Sequence, residues 1–113
     1  MTNFLEETIE ALNENGKDFF KDVEFIAVEG CVVKKEYFMK YANFEYDNGY
    51  GVAIIPLNFI IVGKDWWLER YEYDGAEGWE FKTMPNFDDY NDEYLNEAMT
   101  EEWFNNIKKG TTF

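Results

Sequence analysis

The sequence predicts an α+β fold, an antiparallel sheet of three to four strands with N-terminal, central and C-terminal helices packed against it. Three observations carry that expectation. Apolar residues recur at helical spacing in two segments before residue 45. β-type residues then fall into successive runs between residues 57 and 83, parted by Gly- and Asp-containing reversals. A capped segment of helical pattern closes the chain. A chain of 113 residues suits one domain, 1–113, without linker, repeat or low-complexity block.

Residues 3–14 read as the first helix. Asn3 and Glu6 have capping-box spacing, and Glu6 and Glu7 favour the positive end of the helix dipole. Leu5, Ile9 and Leu12 make the stripe, with Phe4, Thr8 and Ala11 beside it, and Asn15-Gly16 is the stop. "VEFIAVEG", 23–30, reads as a strand that joins the sheet. Lys34 to about Phe44 reads as the second helix, with Val33, Tyr37 and Tyr41 on one face. "DNGYG", 47–51, is turn chemistry, because Asp, Asn and Gly accept left-handed backbone.

The sheet's centre is predicted as a meander of strands 57–62, 66–73 and 79–83. Gly63-Lys64-Asp65 and "DGAEG", 74–78, are its reversals. Alternation is expected to place Tyr71, Tyr73, Trp79 and Phe81 on the core face, with Arg70, Glu72, Glu80 and Lys82 on a charged outer face. Trp66 and Leu68 then fall on the charged side. Either the last helix or a loop covers Trp66, or it stands at the surface as an anchor for a partner. In the tail, Thr100 is the expected N-cap of "EEWFNNIKK", with Tyr94, Leu95 and Ala98 suggesting an earlier turn.

Charge sets the strongest bound on function. Twenty-four acids against ten bases leave a net charge of −14. Residues 1–64 carry −5 of it and residues 65–113 carry −9. Such a field repels nucleic acid and anionic membrane, so neither is an expected direct partner. It attracts a basic protein. Aromatic residues make up 20 % of the chain, and "DWWLERYEYDGAEGWEF", 65–81, holds six rings, yet six acids against one arginine do not make a nucleic-acid stacking platform.

Chemistry-bearing motifs are sparse. Histidine is absent and Cys31 is the single cysteine, which excludes an internal disulfide and a cysteine–histidine zinc site. Cys31 is expected as a small buried apolar residue in a reducing, cytoplasmic setting. The acidic N-terminus does not read as a secretory signal, and no apolar run approaches a membrane span. "DDYNDE", 88–93, lacks the glycine and terminal glutamate of a calcium loop, and no metal or cofactor is expected. Glu69, Glu72 and Glu80 beside tryptophans imitate the carboxylates of a glycan-acting enzyme, the weakest of the functional readings.

Seven acids without a base run from residue 86 to 107: Asp88, Asp89, Asp92, Glu93, Glu97, Glu101 and Glu102. Like charges three or four apart on a helix cost about 0.2–0.5 kcal/mol per pair, too little to rule out a purely solvating face. Along one side they would also imitate the phosphate track of a nucleic acid and compete for arginines and lysines. These acids, with Trp66 or Trp103 as anchors, are the candidate partner-binding residues.

The run "FEYDNGYG", 44–51, followed by "IVGKDWWLERYEYDGAEGWEFK", 61–82, resembles small proteins encoded by phages and prophages of Gram-positive bacteria. The resemblance spans roughly residues 38–85 and assigns no functional residue. It implies an accessory gene product expressed to manage the host, a class that includes anti-restriction proteins, glycosylase inhibitors and anti-CRISPR proteins, several of them nucleic-acid mimics. The expected function is therefore a non-enzymatic accessory protein that binds a basic host protein through its acidic C-terminal surface. The alternative is a self-associating module, a homodimer, whose charge serves only solubility.

Overall fold

The computed structural model describes residues 1–90 and 93–110. The chain is α+β, as the sequence predicts. A short strand β1 (Thr2–Asn3) leads into helix α1 (Phe4–Glu14), and a four-residue helix α2 (Phe19–Asp22) leads into β2 (Val23–Val28). β3 (Cys31–Val33), helix α3 (Lys35–Tyr41) and β4 (Glu45–Tyr46) follow. After a long irregular stretch come β5 (Ile60–Gly63), β6 (Trp66–Tyr73) and β7 (Ala76–Thr83), then helix α4 (Glu97–Lys108).

The main sheet has five antiparallel strands in the order β3-β2-β5-β6-β7, and β1 pairs with β4 in a separate two-stranded ribbon. The sheet is wider than three to four strands because residues 31–33 form a strand of their own. Glu29 and Gly30, both at positive φ, make a two-residue turn that returns Cys31 against Val28. Cys31 is consequently exposed on an edge strand, not buried as its residue type suggests.

Helix caps follow the sequence closely at the N-terminus. The Asn3 side chain accepts the Glu6 amide at 3.0 Å, and Gly16 ends the turn at φ +69°. α1 turns its Phe4, Thr8 and Leu12 edge fully inward, while Leu5, Ile9 and Ala11 pack beside it. In β2 a bulge between Val23 and Phe25 adds one residue against β5, so Val23 and Ile26, three apart, both reach the core.

The faces of β7 are the predicted ones, with Trp79 and Phe81 against the core, but those of β6 are reversed. Asp74 and Gly75, at φ +51° and +86°, form a two-residue turn, and the strand resumes at Ala76. Tyr73 therefore faces Ala76, Tyr71 faces Gly78, and Trp79 faces Arg70. With 74–78 as one long reversal Trp79 would pair with the Tyr71–Tyr73 side of β6; the two-residue turn pairs it with the Arg70 side, and a one-residue shift of that kind inverts a strand's faces. The core row that results runs across the sheet as Val33, Ile26, Ile61, Leu68 and Phe81. Trp66 and Arg70 lie on the same face, whereas Tyr71 and Tyr73 are exposed on the other.

Aromatic rings fill the space between this face and α1 and α3. Phe4 is their hub, with the rings of Phe38, Phe44, Tyr46, Phe59 and Trp79 centred 5.5–6.1 Å from its own. The C-terminal part is different in kind. No described residue from 84 to 110 is buried, and α4 adds none to the core. The radius of gyration is 18.6 Å, against roughly 13 Å for a compact chain of this length.

Candidate functional site

Three features could carry chemistry or recognition: a buried charged centre, an acidic C-terminal segment and an open apolar groove. The charged centre is built by the strand alternation just described. Arg70 points inward from β6, where its Nη1 donates to Glu7 Oε1 of α1 at 2.9 Å and its Nη2 to Glu77 Oε1 of β7 at 2.9 Å. Nη2 also donates to the Tyr46 hydroxyl at 2.9 Å, and that hydroxyl donates to Glu7 at 2.6 Å. The guanidinium lies 4.8 Å from the Trp79 ring centre, with Phe4 and Tyr46 at 5.5 and 5.8 Å.

Glu77 completes the centre by accepting the backbone amides of Ile54 and Ile55 at 2.6 and 3.0 Å. One side chain thus ties the irregular 47–59 stretch to the sheet. Burial, reinforced by the hydrogen bond to Glu7, raises the Tyr46 pKa well above that of a free tyrosine. Burial works against the Arg70 charge, but its bonds to Tyr46 and Glu7 outweigh that effect and hold its pKa above the ordinary value. With the Arg70 and Glu77 side chains at 0 % and 1 % exposure, the geometry braces the fold. The expectation of Arg70 on an outer charged face is corrected here.

Glu69 and Glu80 face each other on the outer side of the sheet, and both approach Lys82, at 3.9 and 3.2 Å. Glu72 instead accepts the Gly75 amide in the turn. Trp66, considered above as a surface anchor, is 4 % exposed. It stacks on Phe81 and lies across Gly63, with Lys17 Nζ 5.5 Å from its ring centre. It belongs to the core, and what covers it is the sheet's own glycine and the chain around Lys17 rather than the last helix.

The acidic segment begins where β7 ends. Asn86 caps a single 3-10 turn, Phe87–Asp89, by accepting the Asp88 amide. Asn96, rather than Thr100, caps α4: its side chain accepts the Met99 amide at 2.9 Å, and Thr100 bonds back to the Asn96 carbonyl inside the first turn. Lys108 in the last turn and Gly110 at φ +73° close the helix. Asp88, Asp89, Glu93, Glu97, Glu101 and Glu102 are all exposed. Asp92 lies outside the described residues. Trp103 is 43 % exposed and sits on α4 between Met99 and Ile107, so it remains at the surface, as a candidate anchor requires.

On the α4 surface, at 100° per residue, Met99, Trp103, Ile107 and Phe104 span an apolar arc of about 140°. Glu97 and Glu101 follow one edge of that arc and Glu102 the other. The helix therefore presents an apolar stripe and an acidic one at the same time.

The third feature was not anticipated. An open cavity of about 370 Å³ sits beside α3, lined by Tyr37, Phe38, Tyr41, Phe44, Ile54 and Phe59 among others, almost wholly apolar. Tyr37, Tyr41, Phe44 and Ile54 are 41–67 % exposed. Two lysines stand at its rim, Lys34 Nζ 5.6 Å from the Tyr37 ring centre and Lys40 Nζ 5.2 Å from that of Tyr41. The sequence shows Tyr37 and Tyr41 on one helix face; that the face borders an open groove depends on the 54–59 stretch, whose Ile54 and Ile55 amides Glu77 holds.

No protein-family model, curated protein or solved structure matches the chain. No group of three or more potential metal ligands occurs among the described residues, and no described helix is long and apolar enough to cross a membrane.

Proposed function

We propose that the protein is a non-enzymatic accessory protein that binds a basic, nucleic-acid-binding host protein through its acidic C-terminal segment. The observation that carries this reading is a separation of duties along the chain. The acids that hold the fold, Glu7 and Glu77, are paired with Arg70 on the body. Asp88, Asp89, Glu97, Glu101 and Glu102 are exposed on a segment with no buried residue among those described, away from that interior pairing. Like charges gathered on a projecting segment steer a basic partner and weaken with salt. The resemblance to small acidic phage proteins adds the host-directed role, with an inhibitor that mimics nucleic acid as its most specific form.

The test is capture from host lysate with two baits, the native chain and a variant carrying Asn at Asp88, Asp89 and Asp92 and Gln at Glu93, Glu97, Glu101 and Glu102. Capture is run at about 50 mM and about 300 mM salt. The native bait is expected to retain nucleic-acid-binding proteins at low salt and release them at high salt, and the amide bait to retain about tenfold less. Equal retention by both baits, or no nucleic-acid-binding protein at low salt, overturns the reading.

A further inference from the structure

We infer that α4 of one copy docks its apolar stripe into the α3 groove of a second copy, forming a reciprocal homodimer. The two surfaces match in chemistry and are open in the same molecule. Met99, Phe104 and Ile107 of α4 are 46–59 % exposed, and the groove residues Tyr37, Tyr41, Phe44 and Ile54 are exposed to a similar degree. An amphipathic helix laid in an apolar groove is a standard way of burying both.

Charge selects this groove over the other uncovered apolar face. The outer side of the sheet exposes Phe25, Tyr71 and Tyr73, but it also carries Glu69 and Glu80 beside Lys82. That face repels an acidic helix. The groove is flanked by Lys34 and Lys40, held over its own tyrosine rings. With the stripe seated, Glu97 and Glu101 run along the edge of the contact, where those lysines can meet them. A chain of net charge −14 pairs with itself at least electrostatic cost where opposite signs face each other, and the segment 31–42, with three lysines and one glutamate, supplies the positive side. Two-fold symmetry makes the contact twice, which brings two helices and two grooves into one interface.

This inference does not rest on the basic-partner reading: it is carried by the apolar stripe of the helix and shares with that reading only Glu97 and Glu101. The capture bait also carries Gln at Glu97 and Glu101, so a further variant with amides only at Asp88, Asp89, Asp92, Glu93 and Glu102 keeps the Glu97–Glu101 edge, and in it partner capture can fail while self-association persists.

The experiment is sedimentation of the full chain and of two charge-reversal variants, Glu97→Lys with Glu101→Lys, and Lys34→Glu with Lys40→Glu. All four positions lie outside the core, and a circular dichroism spectrum confirms each fold. The native chain is expected to dimerise, each variant alone to associate at least about tenfold more weakly, and their equimolar mixture to recover the native dimer. Recovery arises because the mixture restores opposite signs at both contacts. Ile107→Asp with Tyr41→Asp tests the apolar half: each alone dissociates the dimer, and the mixture regains one intact contact. A native chain that stays monomeric to about 0.5 mM, including one whose helix folds onto its own groove, overturns the inference. So does a dimer indifferent to these substitutions, or variants whose mixture recovers nothing.

Discussion

Arg70 shows how much one residue's direction decides. It bonds two glutamates and a tyrosine from three other elements while lying over Trp79. Removing one member of a buried ion pair leaves the others charged and desolvated, at a cost of about 3–5 kcal/mol. Arg70→Ala is accordingly expected to lower unfolding free energy by that amount in denaturant titration. A loss under about 1 kcal/mol would show that the centre is solvated. Tyr46 gives the centre a pH dependence. Its neutral form is favoured by folding, so its contribution is complete below the ordinary tyrosine value of 10.0 and declines as pH rises beyond it. Stability measured from pH 8 upward should fall above pH 10 in the native protein and fall less steeply in Tyr46→Phe.

At the scale of elements, local signals were legible wherever the cause was local. The Asn3 cap, the stop at Gly16 and the bounds of strand 66–73 can be read from residues within a few positions. Asp74-Gly75 was legible as a turn but not as a two-residue one, and that difference reversed the faces of β6 relative to β7. Gly63 is a case where a missing side chain serves a neighbour. A Cβ there would stand 2.1 Å from the Trp66 ring, so Trp66 can lie flat only over glycine. Gly63→Ala should displace Trp66, destabilise the protein by about 2–3 kcal/mol and change its tryptophan fluorescence. Unchanged stability and emission would mean that the ring does not rest there. α4 illustrates the opposite limit: Thr100 satisfies the capping preference, yet Asn96, four residues earlier, holds the helix start because its side chain reaches the Met99 amide.

Across the whole molecule, structural and recognition charge are divided between regions. The body spends its arginine and two glutamates on the interior and carries eight of the ten bases before residue 84. The C-terminal segment holds exposed acids and an apolar stripe with no interior of its own. A helix of this length is marginal in isolation and gains most of its stability from packing an apolar face. Both proposals start from that physical deficit: a basic partner relieves the repulsion, and a second copy's groove covers the stripe. The two measurements share Glu97 and Glu101 but read different events, capture of a basic protein and self-association, and can fail separately.

The amino-acid sequence by itself determined the α+β class, the antiparallel meander, the N-terminal helix and the acidic character of the tail, because periodicity, capping and net charge are properties of neighbours along the chain. Only the tertiary structure decided that Arg70 and Trp66 lie inside, that Cys31 lies outside, and that a lysine-rimmed groove stays open beside α3. Those outcomes depend on strand register and on which surfaces meet, and a two-residue turn or a one-residue bulge changes them while leaving the local pattern almost the same.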